Sequence, residues 1–396
     1  MAIPTKQATR DPRLTNAKAR SADISNAGGP LVEPSATAPE IVLIGGSGDV
    51  GTRLAQMLLK HTTAVVTAVS RGRTGDDDQP CARLRHVYLD VSGSEDLEMA
   101  AGTIAVNLTE ATRPTLAKHV IESGGWFLET SATSEYLSAM MEDLRGVDGP
   151  GRAIMCVGTA PGMTNLMAAE IMAKAPKTSQ IDIGIEMGMG RHYGLAATEW
   201  FLRTAGQPYP AVIDHALTKV APGQLKRRFA FNKGGPLRHS IGYGFAEQTL
   251  IAEGSGRRLK TVRSFVALSP AWMTRGLSLM IALGLGPAIS RNARKLARWL
   301  RRTPVLGPKQ SRLVVEGFDD AGQLTGQIRL ATGDQADATA AVIFATIQSI
   351  LDDRRPVDGG VTTITDHLGL DAALATLRRF LPATELSVRL GNDFTD

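Results

Sequence analysis

The order of elements in this chain of 396 residues predicts an α/β fold, a doubly wound parallel sheet that carries an inserted α+β second domain with a mostly antiparallel sheet. Three observations predict it. From residue 41 to about 175, short apolar runs alternate with helical patterns. Beyond about 175 the runs alternate apolar with polar residues and are separated by turn residues. A strongly apolar helical pattern at 336–353, "ADATAAVIFATIQSILDD", then returns to the first style. The length also asks for more than one core.

The elements follow in order. Residues 1–38 are polar, with Pro and Gly but no apolar period and no signal-peptide core, and read as a flexible tail. Strands are expected at 41–44, 64–69, 86–89, 104–107, 126–129 and 153–157, with helices at 50–60, 112–123, 134–144 and 164–174 between them. That spacing requires parallel strands with helices on both faces. In the second part, "QIDIGIEMGMG" alternates like a strand, as do 228–232, 261–268, 312–317 and 322–330. Helices are expected at 196–204 and 270–302. The expected division is 39–175 plus 335–396 as a dinucleotide-binding domain, and 176–334 as a substrate and dimerisation domain. An antiparallel sheet can offer one face to a partner, so a homodimer is expected.

Composition narrows the class. Hydrophobic residues make up 43% and charged residues 21%, as in a soluble globular chain. Cys81 and Cys156 show no CxxC spacing and no His cluster, so neither a metal site nor a disulfide framework is expected, and a reducing cytoplasm fits. Cys156, in "AIMCVG", reads as a buried strand residue. There are 44 Lys and Arg against 39 Asp and Glu. Between Arg291 and Arg312 the charges are all basic. Just before them, "AWMTRGLSLMIALGLGPAI" at 271–289 is apolar but is interrupted by Arg275. Its clean run falls short of the roughly 20 residues that span a bilayer, so it reads as a buried or interface helix. In 290–302, Ala293, Leu296, Ala297 and Leu300 share one helical face, and Arg291, Arg294, Lys295, Arg298, Arg301 and Arg302 cover the rest. Such a basic amphipathic helix either packs on its own domain or makes a peripheral contact with an anionic membrane or an acidic carrier protein. Nucleic acid is not expected, because only Trp299 interrupts the strip with an aromatic ring.

The stretch "IVLIGGSGDVGTRLAQML" carries the most specific signal. Gly46, Gly48 and Gly51 form G-x-G-x-x-G between a strand and a helix, which is the context of a Rossmann dinucleotide loop. Gly46 permits the tight turn, Gly48 the approach of a pyrophosphate, and Gly51 the close packing of helix on strand. Ser47, Asp49 and Val50 complete the loop, and the positive end of the helix meets the phosphates. A P-loop is set aside because Thr52-Arg53 stands where Lys-Ser/Thr is required. At the end of the second strand, "VSRGRTG" places Ser70, Arg71 and Arg73 with no carboxylate before Asp76. Arginine can fork onto a 2′-phosphate, so NADP(H) is favoured over NAD(H).

Several further segments resemble the saccharopine dehydrogenase-like oxidoreductases. They are "VYLDVSGSEDLEMAAGTIAVNLTEATRPTLAKHVIESGGWFLETSA", "CVGTAPGMTNLMAAEI", "EGFDDAGQLTGQIRLATGDQADATAA", and Gly360-Val361 followed by "HLGL". The resemblance implies that Asp90 and Val91 lie at the adenine side, that Asn107, Leu108 and Thr109 line the cofactor crevice, and that Thr130 and Ser131 lie near the nicotinamide ribose. Pro161, Gly162 and Asn165 would close the substrate site. Many relatives have Asp at Glu129 and Asp-Pro-Gly at Ala160-Pro161-Gly162, so a lysine-pathway substrate does not carry over. The activity implied is hydride transfer to or from an imine of an amino-acid or keto-acid type substrate. In "EMGMGRHYGLAATEW", Glu186 and Arg191 are candidates for the substrate, and His192 or Tyr193 for moving a proton. Two other readings stand beside this one: an NADPH-dependent reductase of a lipid or carrier-bound substrate, and a non-catalytic NADP(H)-binding sensor.

Overall fold

The computed structural model describes residues 38–72, 81–93, 97, 99–188, 194–256, 258–304, 309–352 and 360–391. Arg73, Arg191, His192, Tyr193 and the N-terminal tail to residue 37 lie outside the described residues.

The first sheet grows from alternation. In β1 (Glu40–Ile44), Ile41 and Leu43 enter one core with Leu54 and Leu58 of α1 (Asp49–His61). Val42 and Ile44 enter the opposite core with Ala117 and Ile121 of α2 (Pro114–Glu122) and Leu137 of α3 (Ser134–Leu144). A strand buried on both faces belongs in a parallel sheet covered by helices. The other strands are β2 (Val65–Ser70), β3 (Leu84–Tyr88), β4 (Ile104–Asn107), β5 (Trp126–Glu129), β6 (Arg152–Met155) and β15 (Gly360–Thr363). They run parallel in the order β3-β2-β1-β4-β5-β6-β15. The long helix α10 (Gln335–Asp352) packs on α1 and is buried on nearly every side, as its apolar sequence requires.

The second sheet holds nine strands. Its main path is β10 (Lys226–Phe229), β11 (Arg238–Gly242), β12 (Thr261–Leu268), β7 (Gln180–Met187), β13 (Ser311–Phe318), β14 (Leu324–Thr332) and β16 (Glu385–Leu390). β8 (Tyr209–Ile213) joins β12 and β9 (Ala216–Val220). α4 (Met163–Lys174) packs on β13 and β14. On the far face, Arg227 reaches from β10 to Asp182 and to Glu316, and Arg329 Nε donates to Ala230 O at 2.7 Å. Phe229, Phe265 and Val314 are buried beneath.

The second sheet is mostly antiparallel, as expected, and within it β12 runs parallel to β7. β16 pairs with β14 at the edge of the second sheet, where a half-exposed strand such as "ELSVRL" satisfies its backbone. The 270–302 helix is three helices: α7 (Ala271–Ala282), α8 (Gly286–Arg291) and α9 (Ala293–Leu300). Gly284, at φ +75, ends the first, and Pro287 sits in the first turn of the second.

Candidate active site

The glycine loop leaves β1 through Gly45 at φ +87, so the residue that takes the left-handed conformation precedes the motif's first glycine. Gly46 serves closeness instead: a Cβ there would lie 2.8 Å from Ala68 Cβ of β2. A Cβ on Gly51 would meet Gly46 Cα at 2.6 Å, so α1 begins directly against the loop. Gly46 N donates to Leu43 O and Val69 O, and Gly48 N to Gly45 O. The next amides of α1 have no helical acceptor, and Gly48 caps them with no side chain. This is the cradle an anionic dinucleotide backbone requires, and the residues fit it.

At the outer end of this cradle, Ser70 closes β2 and bonds Gly72 O at 3.0 Å. Arg71 is exposed beside it. Asp90 accepts Ser92 Oγ at 2.7 Å and Ser92 N at 3.0 Å. These bonds, with the nearby charge of Arg71, hold its carboxyl below the usual range. Val91 is buried in the core behind.

Val50 of α1, and Leu108, which lies against Gly45, also line a cavity of about 450 Å³. Its floor is the ends of the parallel strands, with Leu108, Thr109 and Glu110 after β4, Thr130 and Ser131 after β5, and Gly158 to Pro161 after β6. α5 (Leu195–Thr204) forms the opposite wall through Trp200 and Arg203. Gln335 and Thr339 of α10 close the side. A polar chain ties wall to floor: Trp200 Nε1 donates to Thr133 Oγ1 (2.7 Å), Thr133 Oγ1 donates to Glu110 Oε1 (2.5 Å), and Arg203 lies 3.6 Å from Glu110 Oε2. Trp200 also rests against Tyr243 and Phe245.

Two fully buried carboxyls lie under the floor. Glu129 Oε1 accepts Ser131 N (2.8 Å) and Ser131 Oγ (2.5 Å), and its Oε2 accepts Asn107 Nδ2 (2.6 Å). Tyr136 and Thr112 complete this network around Asn107. Burial favours the neutral acid and three donors favour the anion, so the group comes to rest at about 7. Glu247, in α6 (Glu247–Gly254), accepts Thr164 Oγ1 (2.7 Å) and Ser264 Oγ (3.0 Å) and is likewise pushed up by burial to about 7. Cys156 stands between them at φ +62, a backbone region that side chains rarely adopt. Burial, then the charges of Glu247 and Glu129, push its thiol well up, so it is no nucleophile.

The structure therefore gathers Val50, Leu108, Thr109, Thr130, Ser131 and Pro161 on the cavity wall. Asn107 is fully buried beneath it. Gly162, at φ +136, and Asn165, whose Oδ1 accepts Gly162 N at 2.9 Å, hold the turn that presents Pro161. Glu186 does not line this cavity: it is buried in β7, accepts a hydrogen bond from Arg312 (2.8 Å) and pairs with the charge of Arg238 (3.0 Å), while its neighbour Met187 faces the cavity. Glu110, Gln335 and Thr339 lie in segments that carry the resemblance and Trp200 ends "EMGMGRHYGLAATEW", but nothing local singles them out, and Arg203 lies outside every such stretch. Among the described residues no group of His, Cys, Asp and Glu is arranged to hold a metal.

No protein-family model matches the chain, and no curated protein matches it. Among solved structures, the fold is similar to homospermidine synthase from Legionella pneumophila in complex with NAD, with TM-score 0.59 and 10% identity over 89% of this chain and 92% of that one. DAP dehydrogenase from C. glutamicum in complex with DAP gives TM-score 0.44 and 12% identity over 86% of this chain and 99% of that one. An engineered D-amino acid dehydrogenase bound to NADP+ gives TM-score 0.44 and 11% identity over the same shares. What such identities share is the fold.

Proposed function

We propose that this chain is an NADP-dependent oxidoreductase of the saccharopine dehydrogenase-like type, transferring hydride to or from the imine carbon of an amino-acid or keto-acid type substrate. The observation that supports the reading is the glycine cradle beside a cavity at the carboxyl ends of the parallel strands, where such folds bind nucleotides: Val50 of α1 lines that cavity, and so does Leu108, which lies against Gly45. Likeness to a fold does not carry function, so the site must.

A bound nicotinamide cofactor supplies the hydride chemistry. The chain's own residues supply position and a proton. The loop from Gly45 to Gly51 and the start of α1 would hold the pyrophosphate, and Arg71 would meet a 2′-phosphate. Thr130 and Ser131 line the cavity floor, where the reacting end would lie. Ser131 lines the cavity and its Oγ donates to Glu129, so the hydroxyl is assigned to pass a proton between a substrate nitrogen and that buried carboxyl. Pro161, Trp200 and Phe245 exclude water.

Arg203 is the cation on the cavity wall, half exposed and held only loosely by Glu110, and it is assigned to a substrate carboxylate. Loss of NADPH absorbance on mixing with paired amines and keto acids tests the activity. With an acidic substrate, Arg203→Ala raises KM by roughly ten- to a hundredfold, the range for a hydrogen bond to a charged group, and changes kcat much less. No NADPH consumption with any imine-forming pair, despite tight binding of the cofactor, contradicts the catalytic reading and leaves a sensor. A lipid or carrier-bound substrate is the second reading, favoured by the apolar and basic surface that backs onto α5.

A further inference from the structure

We propose that the outer surface of α7 and α9 docks this chain onto an anionic lipid bilayer. The inner faces of both helices are already used. In α7, Thr274, Leu277 and Ile281 are buried, and Thr274 Oγ1 bonds the backbone of Leu268. In α9, Ala293 and Ala297 are buried, and the helix packs on α5. What remains outside is not an ordinary solvated surface. Trp272, Leu279 and Leu283 fall on one stripe of α7 and are 61%, 60% and 66% exposed. Met280 and Leu285 widen the stripe. On α9, Trp299 is 61% exposed among Arg294, Lys295 and Arg298, with Arg291, Arg301 and Arg302 at its ends.

Exposed tryptophan and leucine framed by arginine and lysine, with no acidic residue from Arg291 to Arg312, matches a bilayer interface, apolar inside and anionic at the headgroups. A second copy of this chain does not fit as the occupant, because it would set the two basic strips against each other. No helix among the described residues is long and apolar enough to cross a membrane, so the contact is peripheral. The surface is rigidly joined to the cavity wall. A Cβ on Gly286 of α8 would lie 2.9 Å from Gly206 Cα just after α5, and Ser290 Oγ donates to Arg203 O at 2.7 Å. Docking would therefore hold the outer side of α5 toward the lipid. The inference does not depend on the oxidoreductase reading.

Sedimentation with phosphatidylcholine vesicles, with and without phosphatidylserine, tests it without any cofactor. The full chain is expected to pellet with the anionic vesicles, to be released as salt rises, and to stay free with neutral ones. Each basic residue at such a surface contributes about fivefold, so Arg294→Ala with Arg298→Ala and Arg301→Ala lowers the partition roughly a hundredfold. Leu279→Ser with Leu283→Ser weakens it as well, and Trp299 emission shifts to the blue on binding. All these positions are exposed, and circular dichroism checks that each variant is folded. Absence of binding to anionic vesicles at low salt overturns the proposal, as does full binding by both sets of variants. Retention on an acidic carrier protein without any vesicle binding also overturns it.

Discussion

Glu129→Gln lowers turnover by about a hundredfold and abolishes the pH dependence centred near 7, while cofactor affinity stays close to that of the parent chain. The reduction in rate is the usual contribution of a positioned proton-transfer group. The pH signature follows from the site. Glu129 sits at about 7 because full burial and three hydrogen-bond donors oppose each other. Glutamine keeps the shape and the acceptor for Ser131 but neither loses nor gains a proton. In the reductive direction the parent requires protonated Glu129, so its rate falls as pH rises through about 7. In the oxidative direction it requires the anion, and the rate rises over the same range. Measuring kcat against pH in both directions checks this, and a variant that keeps the parent profile removes Glu129 from the proton path. Ser131→Ala should lower turnover with it, since among the described residues Ser131 both bonds the Glu129 carboxyl and lines the cavity.

Stability should fall as pH rises from about 4.5 to about 7, and this is the second large effect. Glu129 and Glu247 are both raised from 4.5 to about 7. Between those values the folded chain keeps protons that the unfolded chain has released, so each added pH unit favours unfolding. Each group then contributes on the order of 3 kcal/mol of stability that is fully present below the unfolded value and lost as pH rises through the folded one. Denaturant titrations at pH 5 and pH 8 read the difference. Glu247→Gln should remove about half of it without altering the rate profile, because Glu247 bonds Thr164 and Ser264 rather than a cavity residue. Equal stability at both pH values, with the fold intact, would show that neither carboxyl is held neutral.

The first sheet was legible because each of its central strands is buried on both faces and each crossover helix has its own apolar stripe. The glycine loop was legible for the same local reason, although the turn itself belongs to Gly45. In "QIDIGIEM" the strand period sets Asp182 and Glu186 opposite Met187, so a cavity that Met187 faces cannot hold Glu186. Trp200, Thr133 and Glu110 were not legible. Trp200 and Thr133 are 67 positions apart, and only the closing of α5 over the strand ends brings them together. Neither was the perturbation of Glu129, which rests on complete burial that no local pattern records, opposed by the bond from Asn107, 22 positions earlier. β15, "GVTT", is a four-residue edge strand with no buried side chain to mark it, whereas β16, "ELSVRL", does alternate polar with apolar residues, a period that is readable in the sequence although the strand buries little.

The central claim is that the cradle at Gly45–Gly51 holds a dinucleotide whose phosphate Arg71 reads. Calorimetric titration of the purified chain with NADPH and, separately, NADH tests it most directly. The account predicts binding of NADPH at least tenfold tighter than NADH, a gap of about 1.4 kcal/mol, that closes in Arg71→Ala. Binding of neither cofactor would contradict it.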